Sequence, residues 1–353
     1  MTKFQFTNKS QFSNPKHFKL FSVWFLVFGI CLVFGAWFLV IPAKAQTLSL
    51  GLWPPILEVI IMPGKSITQA YTITNSGEET IINTKILPFE PSGEHGNISL
   101  GGPTSTEVGP LQNEPQFSFD NANLSLGKPF RLRSGEVAQV ILKIRIPENC
   151  PEDDYYDTLL FNTPPGAKIG QSVSRQAGTI GANILLTVSK DGKPLKKGEI
   201  LEFGLQRRLL CIGKGVSLTC LIDSLDPLEF LLRVKNTGRA FFKPFGEISV
   251  GGLLGQKGEI EILPENILSQ ASRQINGQCQ TEEKIYPCPL TWQPKFLFGP
   301  YQARAEIKVA DSGSAINGHT SLNFLALPFK LSLTVIVAIL GLILIKNRLR
   351  IRT

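Results

Sequence analysis

Short alternating runs of apolar and polar residues constrain the fold of this chain more than any other feature. They recur between residues 46 and 320, where no long segment has the 3.6-residue period of an amphipathic helix. Examples are ILEVIIM, SITQAYTIT, VAQVILKIRI and NILLTVS, followed later by VSLTCLI, LEFLLRVK, FGEISV and YQARAEIKV. Many short strands separated by turn residues are typical of β-sandwiches, so we predict an all-β, Ig-like fold.

Two similar segments, one in each half of the chain, indicate that this architecture occurs twice. YTITNSGEETI and LRVKNTGRAFF each contain an alternating strand that ends in Asn-Ser-Gly or Asn-Thr-Gly before a second apolar strand. We expect Asn75 and Asn236 to hydrogen-bond the backbone at these turns. Gly77 and Gly238 are then free to take a positive φ.

The two halves share a second similarity later in each, where Tyr155 and Tyr301 open a strand after a turn. In sandwich domains a tyrosine in this place commonly ties its strand back to a loop. We therefore predict two Ig-like β-sandwich domains, over residues 46–190 and 191–326. Residues 91–128 are rich in Gly, Pro, Ser and Asn and are too long for a simple hairpin loop, so they are either functional or mobile.

The N-terminal segment has the pattern of an export signal. Residues 20–41 are apolar and uncharged, and they follow four lysines with no acidic residue among them. Small residues at Ala43 and Ala45 fit a signal-peptidase site, so we predict that residues 1–45 are a signal peptide cleaved after Ala45. Because the apolar stretch is long for a signal peptide, an uncleaved anchor is the alternative.

The C-terminal segment has the pattern of a membrane span. We predict a transmembrane helix over residues 327–345, within an apolar stretch long enough to cross the roughly 30 Å hydrocarbon layer. The basic tail 346–353 follows, and positive charge stays on the cytoplasmic side. This places the protein in a cell membrane with a single C-terminal pass, the sandwiches outside and the tail in the cytoplasm.

The same two segments account for the basic net charge. Of the 36 lysines and arginines, five lie in residues 1–45 and five in residues 328–353, and neither segment contains an acidic residue. This leaves 26 basic and 28 acidic residues between them, so the predicted ectodomain has no bulk attraction for nucleic acid. We expect no nucleic-acid partner.

Gly64-Lys65-Ser66 matches the last three residues of a phosphate-binding P-loop, but the rest of the motif is missing. The position that requires a glycine is Val59, and a strand pattern follows where a P-loop would begin a helix. A tight turn at Pro63-Gly64-Lys65 between two strands is the better interpretation, so we expect no bound nucleotide.

Six cysteines divide into local pairs and single residues. Cys211 and Cys220 bracket eight residues, as do Cys279 and Cys288, and in an exported protein we expect each pair to form a disulfide. Zinc is the alternative, but its ligand pairs are usually spaced by two to four residues. Cys150 is left without a local partner and is either free or paired between chains.

The sequence contains no catalytic motif that we can identify. The predicted ectodomain has two histidines, neither of them in a triad or metal motif, so we predict no catalytic, cofactor-binding or metal site. The acidic run at residues 148–157 could supply oxygen ligands to Ca²⁺, but it lacks the spacing of a calcium loop. A turn-forming, solvated acidic cluster is the alternative. A carboxylate pair for glycoside hydrolysis is not singled out.

VIIMPGKSITQAYTITNSGEET reads as an opening strand, a Pro-Gly turn and an Asn-ending strand, and RLRSGEVAQVILKIRIPENCPEDDYYDTLLF as a later strand, a proline turn and a closing strand. Both stretches resemble the corresponding parts of the bacterial WxL-interacting protein family. LPENILSQASRQI and FLFGPYQARAEIKV resemble the end of its second domain. The resemblance implies a first domain that binds peptidoglycan and a second domain that engages a surface-protein partner.

We therefore predict a non-catalytic, membrane-anchored bacterial surface protein whose partner is cell-wall glycan or another surface protein. The alternatives are a structural accessory subunit of a membrane assembly and a carboxylate-dependent wall hydrolase. The candidate binding residues are Phe89, His95, Phe117, Phe119, Asp153, Asp154 and Asp157.

Overall fold

A computed structural model describes residues 49–101, 113–163, 177–208, 210–212, 219–309, 316–318 and 321–351. The predicted signal peptide lies outside these residues, as does part of the 91–128 segment. Most of residues 164–181, where PPGAKIGQSVSRQAGTIG predicts an exposed loop or hairpin tip, also lies outside them. The described chain is all-β apart from one C-terminal helix, and its strands form two sandwiches, as the alternating runs predict.

Sandwich 1 contains the strands up to Val188. They are β1 (Leu50–Trp53), β2 (Ile56–Ile61), β3 (Ser66–Asn75), β4 (Thr80–Ser92), β5 (Asn97–Leu100), β6 (Gln116–Phe119), β7 (Phe130–Leu132), β8 (Val137–Arg145), β9 (Asp154–Thr163) and β10 (Gly178–Val188). One sheet has the order β1-β3-β8-β6, and the other has the order β2-β10-β9-β4-β5 with β7 paired to β4. Consecutive strands β1 and β2 thus lie in opposite sheets, and β2 runs parallel to β10.

Sandwich 2 contains the strands from Gly198 to Leu327. They are β11 (Gly198–Leu205), β12 (Leu210–Ile212), β13 (Thr219–Asp223), β14 (Leu228–Asn236), β15 (Pro244–Gly252), β16 (Lys257–Glu261), β17 (Ser272–Gln274), β18 (Gly277–Gln280), β19 (Ile285–Cys288), β20 (Leu290–Trp292), β21 (Gly299–Val309), β22 (Asn317–Gly318) and β23 (Ser321–Leu327). The main sheets have the orders β17-β14-β11-β22, with β20 on β14, and β12-β13-β23-β21-β15-β16. Strands β18 and β19 form a separate hairpin.

Each sandwich has its own hydrophobic core, because the alternation turns every second side chain inward. Tyr71 and Phe161 are among the fully buried residues of sandwich 1, and Phe242 and Phe324 are among those of sandwich 2. The burial pattern of β14 alternates strictly between buried and half-buried residues along its whole length. Two separate clusters are what two folding units on one chain require.

The predicted asparagine turns are confirmed in both sandwiches. Asn75 and Asn236 are buried, and the side-chain amide of each donates to backbone carbonyls, including Arg133 at 3.1 Å and Ile267 at 3.0 Å respectively. Their side-chain oxygens accept from the N–H groups two residues later, at 3.0 and 2.9 Å. Each asparagine therefore holds a strand end against loops far along the chain.

The expectation of positive φ at the turn glycines is wrong, since neither Gly77 nor Gly238 adopts it. At Gly238 the physical requirement is space, because a Cβ would lie 2.6 Å from the carbonyl oxygen of Leu195. Gly64 does take a positive φ, of 76°, in the turn between β2 and β3. The Pro-Gly-Lys segment is therefore a strand-to-strand turn, as predicted.

The predicted tyrosine ties are also present. Tyr155 donates from its hydroxyl to the carbonyl of Pro151 at 3.2 Å. The Tyr301 hydroxyl accepts from the N–H of Phe298 at 3.2 Å and donates to the side chain of Gln256. Each tyrosine holds the start of its strand against a neighbouring loop.

The helix α1 (Phe329–Ile351) follows β23 after a single residue, Pro328. Among the described residues, its first part is long and apolar enough to cross a membrane, and the span Phe329–Asn347 is not buried against the protein. Compared with the predicted span 327–345, the helix begins two residues later and continues into the basic tail.

Both predicted disulfides are present, between Cys211 and Cys220 and between Cys279 and Cys288. Cys150 is a free thiol with 3% of its surface exposed, packed in the core of sandwich 1. Its burial argues against a disulfide between chains.

Candidate functional site

The outer face of one sheet in sandwich 1 contacts sandwich 2 through a partly buried hydrogen-bond network. Asp154 Oδ2 accepts from the backbone N–H of Phe241 at 2.6 Å and from the hydroxyl of Tyr156. Asp154 Oδ1 accepts from Thr187 Oγ1 at 2.5 Å. The Tyr156 oxygen in turn accepts from the backbone N–H of Ser269 at 2.8 Å. The carboxylate and the hydroxyl thus join the two sandwiches.

Strand alternation places these groups on the outer face. Tyr155, Leu159 and Phe161 point from β9 into the core, so Asp154 and Tyr156 point the other way. Burial raises the pKa of Asp154, and the three hydrogen bonds that it accepts act in the opposite direction. Burial is also the main cause of the raised pKa of Tyr156, with the neighbouring Asp154 carboxylate next.

A second polar contact lies on β2. Glu58 accepts from Lys243 Nζ at 2.7 Å and from Asn266 Nδ2 at 2.5 Å, and both of these residues belong to sandwich 2. About a quarter of the Glu58 side chain is exposed (28%), so the ion pair lies at the edge of the interface. A partly desolvated ion pair of this kind fixes orientation more than it stabilises.

A third contact comes from the tip of the β4–β5 hairpin. The carbonyl of Glu94 accepts from the N–H of Gln274 at 2.8 Å, and its carboxylate lies 3.0 Å from Arg233 Nε. Gly96 lies against the guanidinium of Arg273, where a Cβ would be 2.6 Å from Cζ, and its φ is +75°. A glycine is therefore needed for this close approach.

These contacts enclose a cleft of about 320 Å³ between the two sandwiches. Sandwich 1 contributes β2, β10 and the β4–β5 hairpin, and sandwich 2 contributes Lys243 and residues 264–273. Two buried polar atoms here, Asn266 Oδ1 and Arg273 Nε, have no hydrogen-bond partner among the described residues. The cleft is lined by apolar side chains such as Ile56 and Phe89 and by many polar and charged ones, including Glu58, Lys243 and Arg273.

Beside the cleft, β2 forms an open sheet edge. It pairs with β10 on one side, and no other described strand pairs with its second side. Four large apolar side chains are exposed along this part of the chain: Trp53 (70%), Ile56 (39%), Ile60 (42%) and Met62 (46%). Soluble proteins rarely leave an apolar edge of this kind unprotected.

The hydrogen bonds to β10 show which backbone groups of β2 remain open. The N–H groups of Asn183 and Ser189 donate to the carbonyls of Pro55 and Ile61, at 2.9 and 3.1 Å. Backbone groups alternate in direction along a strand, so odd-numbered residues face β10. The N–H and C=O groups of Ile56, Glu58 and Ile60 therefore face the open edge.

The structure brings two of the predicted binding residues together. Phe89 and Asp154 both lie in the interface, where the Phe89 ring stacks on Tyr156 with a centroid distance of 5.6 Å. His95 is exposed at the tip of the β4–β5 hairpin, near the cleft. Asp153 is exposed, and its carboxylate accepts from the N–H of Asp154 at 2.9 Å.

The other predicted residues lie elsewhere. Phe117 and Phe119 on β6 pack against the core of sandwich 1, so their rings have a structural role. Asp157 is half-buried on the core-facing side of β9. Its burial and the neighbouring Glu114 carboxylate raise its pKa to about 6.

Sequence reasoning missed Tyr156, Glu58, Lys243 and Arg273. Strand alternation could have indicated Tyr156, because it must face the side opposite to Tyr155, the residue expected to tie this strand to a loop. No local signal marks Lys243 or Arg273 as interface residues. In the part of the chain that is described, no three His, Cys, Asp or Glu side chains are grouped so that they could hold a metal ion.

No protein-family profile and no curated protein matches this chain. Solved structures do resemble it. The class 5 fimbriae chaperone CfaA shares 12% identity over 79% of this chain and 100% of its own, with a TM-score of 0.34. The E. coli chaperone DraB shares 14% over 79% and 98%, with a TM-score of 0.32. A chain of the Salmonella enterica SafA pilin–SafB chaperone complex shares 12% over 80% and 98%, with a TM-score of 0.30. Identities and TM-scores this low carry no argument about the function of this chain.

Proposed function

We propose that this protein is a non-catalytic, membrane-anchored bacterial surface protein that binds an extended segment of another surface protein. The segment adds as a strand to the open edge of β2, beside the cleft between the sandwiches. The helix α1 anchors the protein, with the sandwiches outside the cell and the basic tail in the cytoplasm.

The open β2 edge is the observation that carries this proposal. Strand addition uses main-chain hydrogen bonds for affinity and side-chain pockets for specificity. The outward N–H and C=O groups of Ile56, Glu58 and Ile60 supply the hydrogen bonds. The exposed Ile56 and Ile60 side chains supply apolar contacts. A glycan chain has no backbone ladder to match, so this edge favours a protein partner.

The interdomain network supports a preformed site. Asp154 and Tyr156 tie sandwich 1 to residues 241 and 269 of sandwich 2, and Glu58 pairs with Lys243. These contacts hold one wall of the cleft at a defined place relative to β2. A preformed site avoids part of the entropic cost of binding.

The proposed membrane anchor is supported by the apolar composition of α1 and by the positive charge that follows it. Apolar residues occupy most of the span Phe329–Asn347, which is not buried against the sandwiches. Positively charged residues follow it, and these favour the cytoplasmic side.

Photocrosslinking in intact cells tests the partner. A photoreactive phenylalanine analogue at Met62, which is 46% exposed, probes the open edge without altering its hydrogen-bonding positions. We expect a discrete protein adduct. The variant Ile60→Pro, which removes an N–H that faces the open edge and leaves the ladder to β10, should reduce it at least about tenfold. The control Ile60→Val keeps that N–H and should preserve the adduct.

Other outcomes contradict the proposal. An adduct that Ile60→Pro does not weaken would exclude strand addition. No adduct, combined with retention of the protein on insoluble peptidoglycan, would favour a glycan ligand. Release of soluble muropeptides by the purified protein would favour the hydrolase alternative.

A further inference from the structure

One end of sandwich 2 surrounds the point where α1 leaves the domain. Asp223 pairs with Leu327 at the end of β23, and Gly299 pairs with Ala326. Gly252 pairs with Tyr301 at the same end of the adjacent strands. The loops that follow β13 and β15 and the loop that precedes β21 therefore all lie beside the start of α1.

Hydrogen bonds hold these three loops together. The N–H of Leu297 donates to the carbonyl of Ser224 at 3.0 Å, and the N–H of Leu253 donates to the carbonyl of Pro300 at 3.2 Å. Gln256 Nε2 donates to the carbonyl of Phe296 at 2.9 Å. The loops thus form one connected surface, which we call the apolar foot.

The foot exposes large apolar side chains where a water-facing surface would be polar. Leu253 is 81% exposed and Leu254 is 69% exposed at the β15–β16 turn. Leu225, Phe296 and Phe298 are also exposed, at 52%, 40% and 49%. A contiguous apolar group of this kind marks a surface that is covered in use.

The attachment of α1 fixes the height of the foot relative to the helix. Asp223 Oδ2 accepts from the backbone N–H of Lys330 at 2.8 Å, in the first turn of α1. The Lys330 ammonium also pairs with the carboxylate of Asp226. Only Pro328 separates β23 from the helix, so no flexible linker can lift the sandwich away from the membrane surface.

We propose that the apolar foot inserts into the interfacial layer of the same bilayer that α1 crosses. Leu253, Leu254, Leu225, Phe296 and Phe298 would enter the boundary between headgroups and acyl chains, as the apolar faces of interfacial helices do. This inference rests on the proposed membrane anchor. Its consequence is that sandwich 2 is held in a fixed orientation on the membrane, with sandwich 1 at its other end.

Site-specific fluorescence in proteoliposomes tests the insertion. The full chain, with Cys31 and Cys150 replaced by alanine, receives a single cysteine through Leu254→Cys, Leu195→Cys or Leu333→Cys and is labelled with an environment-sensitive dye. Leu195 is the matched control, since it is 68% exposed and lies beside Gly238 at the opposite end of the domain. Leu333 reports on α1. The vesicles contain phosphatidylethanolamine, phosphatidylglycerol and a lipid with a nitroxide near its glycerol backbone.

We expect the nitroxide to quench the dye at Leu254 at least about half as strongly as the dye at Leu333, since both would lie in or near the interfacial layer. The dye at Leu195 should not be quenched. Quenching at Leu333 but not at Leu254 would overturn the insertion and leave the anchor intact. Absence of quenching at both sites would overturn the insertion together with the membrane anchor.

Discussion

The hydroxyl of Tyr156 in sandwich 1 lies 2.8 Å from the backbone nitrogen of Ser269 in sandwich 2 and accepts a hydrogen bond from it. The same hydroxyl donates to Asp154, whose carboxylate also accepts from the N–H of Phe241. One tyrosine therefore couples a strand of one domain to two loops of the other.

Replacing Tyr156 with phenylalanine should loosen this interface. The change leaves the Phe89 stack in place but removes the partner of the Ser269 N–H and one donor to Asp154. A partly buried polar group left unpaired costs about 1–3 kcal/mol of stability. Urea unfolding should show this loss, and small-angle scattering should show a broader range of interdomain geometries. The exposed Tyr286→Phe is the control, and an equal loss there would contradict the interpretation.

Asn75 and Asn236 should make similar contributions to the stability of the sandwiches that contain them. Replacing either with alanine leaves at least two buried or partly buried backbone carbonyls without the amide donor that they have now. We expect each variant to lose about 2–3 kcal/mol, since the orphaned groups cannot reach water. Hydrogen exchange should locate the loss in the sandwich that carries the change. The exposed Asn123→Ala should be nearly neutral, and loss in the other sandwich would contradict this prediction.

The pH dependence of stability should report the half-buried carboxyl of Asp157. Its pKa is about 6 in the folded protein, against 3.8 ordinarily. Between these values the folded state keeps a proton that the unfolded state has released, so the free energy of unfolding falls as pH rises through this window. The contribution is at most about 3 kcal/mol and is complete above about pH 6.

Asp157→Asn should remove this part of the pH dependence and raise stability at neutral pH. Asp154, whose pKa is also raised, keeps its own contribution in that variant, so the difference from the unchanged protein isolates Asp157. Glu114→Gln should lower the pKa of Asp157, because it removes a neighbouring negative charge. The pH range over which stability falls should therefore become narrower. Unfolding curves measured across this range that are identical for Asp157→Asn and the unchanged protein would contradict the assignment.

The two disulfides should contribute unequally to the stability of sandwich 2. Each closes a loop with a sequence separation of nine residues, so the entropy term is similar, at about 2–3 kcal/mol. Cys220 is fully buried in the core of sandwich 2, whereas Cys279 and Cys288 hold the separate β18–β19 hairpin. Unfolding of the two double-alanine variants should show the larger loss for Cys211/Cys220. The reverse order would mean that the hairpin supports the domain more than its packing indicates.

The sequence by itself determined the features that depend on neighbours in the chain. Alternation along a strand decides which side chains face the core, so the β-sandwich fold and much of the buried set could be predicted. The buried asparagines, the two tyrosine ties and both disulfides follow from short patterns around turns. The apolar C-terminal stretch predicts a helix because its composition suits no exposed strand.

The tertiary structure alone decided how the predicted residues combine. Glu58 and Lys243 are 185 residues apart in the chain, and their contact depends on how two separately folded domains pack. Asp154 became an interface residue and Asp157 a core-facing one because alternation on β9 turns them to opposite faces, and only packing shows which face meets sandwich 2. The apolar foot could not be predicted from the sequence either, since its leucines and phenylalanines come from three loops that meet only when the sheets of sandwich 2 align. Local patterns encode periodicity, whereas contacts between distant segments depend on the whole arrangement of strands.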